Sequence, residues 1–164
     1  MSNINKVIFV CVGNTCRSPM AATIMSTFLQ GTDILVQSRG MVVLFPEPYN
    51  PKAVAVASKH GMIMVSDSTK QIENEDFDNN TLVLVMNSNM KKKLYDKYGK
   101  DFIYDPDMYF NNTYDVYTLS EYAGEGDIEV LDPYGKCMEE YNKCFEQLYI
   151  LLEKAARNII GQDS

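Results

Sequence analysis

The sequence predicts an α/β fold in which helices cover both faces of a parallel, four-stranded, doubly wound sheet. Short apolar, β-branched runs alternate with longer segments of helical periodicity, and this alternation is typical of such folds. The strand candidates are residues 4–10, 34–37 and 82–86, with a weaker one at 101–104. Residues 7–10 are apolar at every position, which is expected of a strand buried on both faces.

Three predicted helices alternate with or follow these strands. The first has its apolar residues on one side and would end at Gly31. The second, in the stretch NPKAVAVASKHG, has Asn50 as its expected N-cap, Pro51 at its first position and Gly61 beyond its end. The last is amphipathic, and its apolar face consists of Tyr141, Cys144, Phe145, Leu148, Leu151, Leu152 and Ala155.

The composition indicates one compact domain spanning residues 1–164. A chain of 164 residues with 46% hydrophobic content can form a sizeable core. The net charge of −7 argues against binding to nucleic acid or to an anionic membrane surface. With no apolar run of membrane-spanning length and no signal-peptide pattern, we expect a cytoplasmic protein, a monomer or weak dimer, whose four cysteines are reduced thiols.

A polar turn follows the first strand, in the stretch VCVGNTCRSPM. Ser18 and Pro19 are expected to be the N-cap and first residue of the next helix, so that free amides and the positive end of the helix dipole face Cys11. Such a site binds an oxyanion and favours a thiolate. Arg17 adds a planar fork of donors for two phosphate oxygens. The turn therefore predicts a phosphate cradle with a nucleophile at its base.

Two residues of this turn are expected to shape its backbone. Gly13 can adopt conformations that turn successive amides inward, and Asn14 tolerates left-handed geometry while its side chain braces the turn. A lone cysteine after a buried strand is often only a small apolar residue, but the pattern C-x5-R-S-P favours the catalytic interpretation. The turn has neither a CxxC motif nor a Walker motif, and no second pair of zinc ligands follows. We expect no metal and no cofactor.

The motif VCVGNTCRSPMA, together with DPYG at residues 132–135, resembles the signature of the low molecular weight protein tyrosine phosphatases. The resemblance implies a Rossmann-like phosphatase I fold. It further implies that Cys11 attacks phosphorus, that Arg17 and the loop amides hold the equatorial oxygens, and that water hydrolyses the cysteinyl-phosphate. Ser18 would donate its hydroxyl to the Cys11 sulfur. The implied substrate-binding loop comprises Val12, Gly13, Asn14, Thr15, Cys16 and Ser18.

The expected general acid is Asp132, which lies before the final helix. Phosphotyrosine needs a proton on its leaving oxygen, and an aspartate near a dianion in a partly dry pocket can supply it and then act as base toward water. An Asp-Pro pair alone is more often a turn signal, so this role depends on the resemblance. By the same resemblance, Phe45 and Tyr134 would form aromatic pocket walls, with Tyr49 a weaker candidate.

The expected substrates are phosphorylated proteins or peptides, with phosphotyrosine as the main expectation. Thr15 stands where many family members have isoleucine, and TLSEY at residues 118–122 is similar to a bacterial branch that includes protein-arginine phosphatases. A threonine hydroxyl can accept a guanidinium where isoleucine cannot, so phosphoarginine is the alternative. Two further hypotheses are an arsenate reductase that relays a disulfide through Cys137 and Cys144, and a catalytically silent phosphate-binding module.

Two other residues near these motifs call for an interpretation. Cys16 could form a disulfide with Cys11 on oxidation and so protect it, or it could be a buried structural thiol. His60, before Gly61 at a predicted helix end, is expected to be a structural contact rather than a general base.

Overall fold

The computed structural model describes residues 4–64, 68–98 and 115–162. Its centre is one parallel sheet in the order β2-β1-β3-β4, formed by β1 (Lys6–Cys11), β2 (Leu35–Gly40), β3 (Thr81–Val85) and β4 (Asp115–Thr118). Three predicted strands are confirmed, with ends displaced by one to three residues. The weaker candidate at 101–104 lies outside the described residues, and the fourth strand of the sheet is β4.

The two central strands are buried on both faces. Every residue of 7–11 in β1 and 81–85 in β3 is buried. Because successive side chains of a strand point to opposite faces, packing must cover both sides of the sheet. This burial confirms the doubly wound α/β architecture that the apolar runs predicted.

The helices are α1 (Arg17–Phe28), α2 (Pro51–Lys59), α3 (Ser88–Tyr98), α4 (Leu119–Tyr122) and α5 (Met138–Gln162), with a 3-10 turn at Asn74–Asp76. α1 packs against β1, β2 and α5, and α5 also contacts α2 and α4. The last helix is longer than its apolar pattern indicated, with 25 residues. Within the described ranges, no helix combines the length and apolar character needed to cross a membrane.

One predicted helix cap is confirmed and another is wrong. Asn50 caps α2, because its side chain accepts a hydrogen bond from the Lys52 backbone N–H at 2.9 Å. Ser18, by contrast, lies inside the first turn of α1, which begins at Arg17 after Cys16 and has no side-chain cap. The hydroxyl of Ser18 is not available as a cap because it contacts the side chains of the preceding loop, as described below.

The chain reverses its direction of winding at the carboxyl end of β1. From β1 it crosses to β2 on one side, and later to β3 on the other side. Such a reversal opens a crevice at the carboxyl ends of the strands, where doubly wound proteins bind their ligands. The polar turn that begins at Cys11 lies at this point.

Candidate active site

The Cys11 loop, residues 11–17, connects β1 to α1 at the reversal point. At its middle, Asn14 has a φ of 58°, the left-handed conformation expected to be tolerated there. Its buried side chain accepts a hydrogen bond from Lys70 N–H at 2.9 Å and donates to Ser18 Oγ at 2.8 Å and to Ser38 Oγ at 2.9 Å. These three bonds hold the inner half of the loop against β2 and the segment containing Lys70.

A glycine outside the loop, Gly40 at the end of β2, permits this close packing. A Cβ at Gly40 would lie 2.6 Å from Val43 Cγ2 and 3.0 Å from the Asn14 Cβ. Gly13, which was expected to supply unusual backbone conformations, does not have a positive φ. A Cβ there would meet only the Thr15 hydroxyl within 4 Å, at an ordinary distance of 3.8 Å. The left-handed conformation in this loop therefore belongs to Asn14 and not to Gly13.

The thiol of Cys11 lies beneath the N-terminus of α1. Its sulfur is 2.9 Å from Ser18 Oγ, and the Ser18 backbone N–H donates to it at 3.5 Å. Ser18 Oγ also accepts from Asn14 Nδ2, and the Cys11 side chain is buried. The Ser18 N–H and the helix dipole stabilise negative charge on this sulfur, which suits a thiolate nucleophile. The Ser18 hydroxyl, which also lies 3.3 Å from the Arg39 carbonyl, can donate to a thiolate as well.

Arg17 joins the Cys11 loop to the loop that carries Asp132. Its guanidinium is buried, donates to the Val130 carbonyl at 3.0 Å, and lies 3.5 Å from Asp132 Oδ2. Val130 is held in turn by its own N–H, which donates to the Met86 carbonyl at 3.1 Å. The Asp132 side chain is half exposed, and its Oδ1 accepts from the Tyr134 N–H at 3.0 Å. A carboxyl group therefore lies next to the guanidinium at the mouth of the site.

The two expected pocket walls are exposed side chains on segments that border the Cys11 loop. The segment after β2 runs beside the loop, because Val42 N–H donates to the Val12 carbonyl at 3.0 Å. Phe45, three residues further on, is 68% exposed, and Tyr134, two residues after Asp132, is 67% exposed. Both are free to contact a bound substrate. Tyr49 packs partly against the hydrophobic core instead, in keeping with its weaker claim to the pocket.

Different contacts hold the outer half of the Cys11 loop. The Asn50 N–H donates to the Thr15 carbonyl at 3.0 Å. The Cys16 sulfur lies 3.3 Å from the Tyr141 hydroxyl and 3.6 Å from the Thr15 hydroxyl. Burial raises the pKa of the Cys16 thiol, and the two hydroxyl contacts offset only part of that effect. Cys16 is therefore a neutral, buried thiol at physiological pH.

The remaining candidates are Cys137, Cys144 and His60, and their contacts are those of structural residues. Cys137 is exposed just before α5, and Cys144 is buried two helical turns later, about 10 Å along the axis at 1.5 Å per residue. At that separation the two cysteines cannot form a disulfide without backbone movement, so this conformation does not support an arsenate reductase relay. His60 stacks on Phe145 at 4.3 Å and bonds Asn142 Oδ1 at 2.8 Å. Across the described residues, no group of three metal-ligating side chains comes together.

The family model of the low molecular weight phosphotyrosine protein phosphatases matches residues 6–162. The chain belongs to this family. The match covers the Cys11 loop, the acid loop and all nine helices and strands of the described ranges other than the 3-10 turn.

Relatives in the family carry two different activities in their names. The chain is 34% identical over 154 residues to the low molecular weight protein-tyrosine-phosphatase PtpB of Staphylococcus haemolyticus, covering 93% of this chain and 99% of the relative. It is 30% identical over 156 residues to a protein-arginine-phosphatase of Bacillus subtilis, covering 93% and 95%. A solved structure of a Cys-to-Ser mutant of YwlE arginine phosphatase, with a phosphorylated active-site serine, matches with a TM-score of 0.80 at 27% identity, covering 93% of each chain.

Family membership confirms the resemblance seen in the motifs, the α/β phosphatase fold and the expected enzyme class, a low molecular weight protein tyrosine phosphatase. The roles of Cys11, Arg17 and Asp132 in this chain stay predictions. The contacts around them are those that such roles require.

Several residues that shape the site were missed by the sequence analysis. Gly40 permits the close approach of the loop, Ser38 and Lys70 hold Asn14, and Tyr141 contacts Cys16. Gly40 alone carried a usable signal, because a glycine directly after a strand often marks close backbone approach. The periodic pattern places Tyr141 on the apolar face of the last helix, but it could not predict that the tyrosine hydroxyl contacts Cys16.

Proposed function

We propose that this chain dephosphorylates phosphotyrosine in proteins through a cysteinyl-phosphate intermediate. The observation that carries the proposal is the convergence of three groups on one site. Cys11 lies beneath the N-terminus of α1, and Arg17 lies within 3.5 Å of Asp132. Nucleophile, phosphate clamp and proton donor are the groups that two-step phosphoryl transfer requires.

In the first step, the Cys11 thiolate attacks phosphorus and the bond between phosphorus and the tyrosyl oxygen breaks. The Ser18 hydroxyl, 2.9 Å from the sulfur, stabilises the thiolate before attack. Arg17 and the loop amides bind the three equatorial oxygens, whose charge is spread in the transition state. Asp132 gives its proton to the departing phenolate, which is a poor leaving group without it.

In the second step, Asp132 acts as a base. Its carboxylate takes a proton from a water molecule as that water attacks phosphorus, and the bond between sulfur and phosphorus breaks. Inorganic phosphate leaves, and Cys11 returns to its thiolate. The phosphorylated active-site serine of the YwlE mutant supports a covalent intermediate at the equivalent position of this chain.

Phosphoarginine is the alternative substrate, and one residue favours it. Thr15 is only partly buried, and its hydroxyl lies 3.6 Å from the sulfur of the adjacent residue, Cys16. The hydroxyl can therefore accept a hydrogen bond from a guanidinium attached to the phosphoryl group. The relative named protein-arginine-phosphatase, at 30% identity, gives the alternative further support.

The deciding experiment compares kcat/KM on matched phosphotyrosine and phosphoarginine peptides, with release of inorganic phosphate as the readout. Cys11→Ser is the blank, and spontaneous hydrolysis of phosphoarginine is subtracted. We expect turnover of phosphotyrosine that Cys11→Ser abolishes. Thr15→Ile then tests the alternative, because it removes the hydroxyl and adds bulk. A phosphotyrosine rate indistinguishable from the blank, beside rapid phosphoarginine turnover lost in Thr15→Ile, would assign the chain to the second activity.

We further propose that the enzyme acts on phosphorylated protein substrates in the cytoplasm, as a monomer or weak dimer, without nucleic acid or membrane partners. Cys11 must stay a reduced thiol to act, which suits a reducing compartment. The acidic net charge of −7 supports the lack of attraction to polyanionic surfaces. Light scattering of the purified protein tests the oligomeric state.

A further inference from the structure

The Tyr141 side chain, on α5, contacts the Cys11 loop. It is fully buried and among the largest buried side chains in the described structure. Its hydroxyl lies 3.3 Å from the Cys16 sulfur, 125 positions earlier in the chain. Buried tyrosine hydroxyls need a hydrogen-bond partner. For the Tyr141 hydroxyl, that partner is the Cys16 thiol rather than a backbone group.

The same tyrosine is also influenced by charges of the loop that carries Asp132. The pKa of its hydroxyl is raised well above the ordinary value, first by burial and then by the contact with Cys16 and the nearby charges of Asp132 and Tyr134. Lys52 Nζ lies 5.9 Å from its ring centroid and donates to the Lys136 carbonyl of the acid loop at 2.7 Å. Tyr141 is thus a neutral hydroxyl in contact with one loop and close to the other.

The inner and outer halves of the Cys11 loop depend on separate supports. Asn14 holds the inner half through three hydrogen bonds. In the outer half, the structure gives Thr15 a backbone bond from Asn50, and gives the Cys16 side chain the Tyr141 hydroxyl as its long-range partner. Because Cys16 connects Thr15 to Arg17, a displacement of Cys16 changes the spacing of the groups that hold the phosphoryl oxygens.

We propose that Tyr141 is a positioning residue whose hydroxyl, through its contact with the Cys16 sulfur, holds the outer half of the Cys11 loop in the geometry that binds the phosphoryl group. This inference deepens the proposed phosphatase activity and rests on it. Tyr141 touches no reacting atom, and it acts through Cys16. Loss of its hydroxyl would weaken oxyanion binding and slow turnover without removing the nucleophile or the acid.

The test uses Tyr141→Phe, which removes the hydroxyl and keeps the ring. Its matched control is Tyr149→Phe on the same helix, where the ring is half exposed and packs on Phe28 at 5.1 Å. We expect Tyr141→Phe to lower kcat/KM and to weaken binding of inorganic phosphate, each by about tenfold, and Tyr149→Phe to leave both within about twofold of the parent. Phosphate binding is measured by calorimetry, which needs no turnover.

A double-mutant cycle shows whether Tyr141 acts through Cys16. Cys16→Ala removes the contact from the other side, and we expect it to reproduce the loss of phosphate affinity, whereas Cys16→Ser keeps a polar partner and stays closer to the parent. In the Cys16→Ala background, Tyr141→Phe should add less than twofold. Cys16→Ala also tests the proposal if Tyr141→Phe does not fold.

The inference would be overturned if phosphate affinity were unchanged in Tyr141→Phe, or if Cys16→Ser and Cys16→Ala lost equal affinity. It would also be overturned if the loss in the double variant Tyr141→Phe/Cys16→Ala equalled the product of the two single losses. A lower melting temperature with unchanged phosphate binding would leave Tyr141 a structural residue alone and would also overturn it. If the parent hydrolyses neither phosphopeptide, the proposed activity fails, while the phosphate titration still decides the role of Tyr141.

Discussion

Gly40→Ala tests whether close packing behind the Cys11 loop keeps the loop in place. The new Cβ would lie 2.6 Å from Val43 Cγ2, and 3.0 and 3.1 Å from the Cβ and N of Asn14. Ordinary carbon contacts begin at about 3.5 Å, so the first contact is about 1 Å too short and the others about half as much. Val43 is partly exposed and can move, whereas Asn14 is buried and held by three hydrogen bonds.

The expected cost of this overpacking is about 2 kcal/mol of unfolding free energy, within the usual range of about 1–3 kcal/mol. For a chain of this length, that corresponds to a fall in Tm of about 6 °C. Because a few tenths of an ångström at Asn14 move the loop amides, kcat/KM should fall about tenfold or more. Calorimetry and phosphate release measure the two effects.

The control for this prediction is Gly161→Ala, where the added Cβ meets no heavy atom within 4 Å and lies in α5. It should leave Tm unchanged or slightly raised, because alanine favours a helix over glycine. The reasoning is refuted if Gly40→Ala melts within about 1 °C of the parent and also retains the kcat/KM of the parent. In that case tight packing at Gly40 does not hold the loop.

Four further predictions concern individual side chains. Cys11→Ser should lose all measurable turnover while retaining phosphate binding. Asp132→Asn should slow hydrolysis most for substrates with poor leaving groups, and equal losses for good and poor leaving groups, measured across substituted phenyl phosphates, would contradict its role as acid. Burial raises the pKa of Cys144 to about 12, so the neutral thiol stabilises the fold fully below pH 9.0, the ordinary value, and this contribution declines as pH rises from 9.0 toward 12. The difference in unfolding free energy between the parent and Cys144→Ala, measured in urea, should therefore be smaller at pH 10 than at pH 7. Cys16, whose pKa burial also raises, should be alkylated by iodoacetamide more slowly than the exposed Cys137, as followed by mass spectrometry.

Local patterns were sufficient to predict most of the fold. The apolar runs and the Asn50-Pro51 helix start are properties of adjacent residues, so their physical meaning survives in a single sequence. The fourth strand shows where local patterns become insufficient. The fourth strand of the sheet is β4, whose sequence DVYT mixes polar and apolar residues and so gives only a weak apolar signal. An edge strand needs burial on fewer positions and so leaves a fainter pattern.

The candidate site divides in the same way. Cys11, Asn14 and Arg17 could be predicted to lie together because one contiguous stretch contains the proposed nucleophile, the turn and the proposed phosphate clamp. The pairing of Asn14 with Lys70 spans 56 positions, and a tertiary contact at that distance leaves no local trace. The error at Ser18 arose because Ser-Pro resembles a helix start, while the fold uses the hydroxyl for Cys11.

The buried guanidinium of Arg17 bears on how the targets of this enzyme can be captured. Its hydrogen bond to the Val130 carbonyl and its proximity to Asp132 connect the Cys11 loop to the loop that carries Asp132, in addition to the phosphate-binding role proposed for Arg17. Replacing Arg17 would therefore remove both the proposed phosphate-binding group and the hydrogen bond to the Val130 carbonyl. Such a variant should bind phosphoproteins poorly. Replacing Cys11 or Asp132 leaves the hydrogen bond from Arg17 to the Val130 carbonyl in place. Variants at these two positions are the ones to immobilise when the natural substrates are sought.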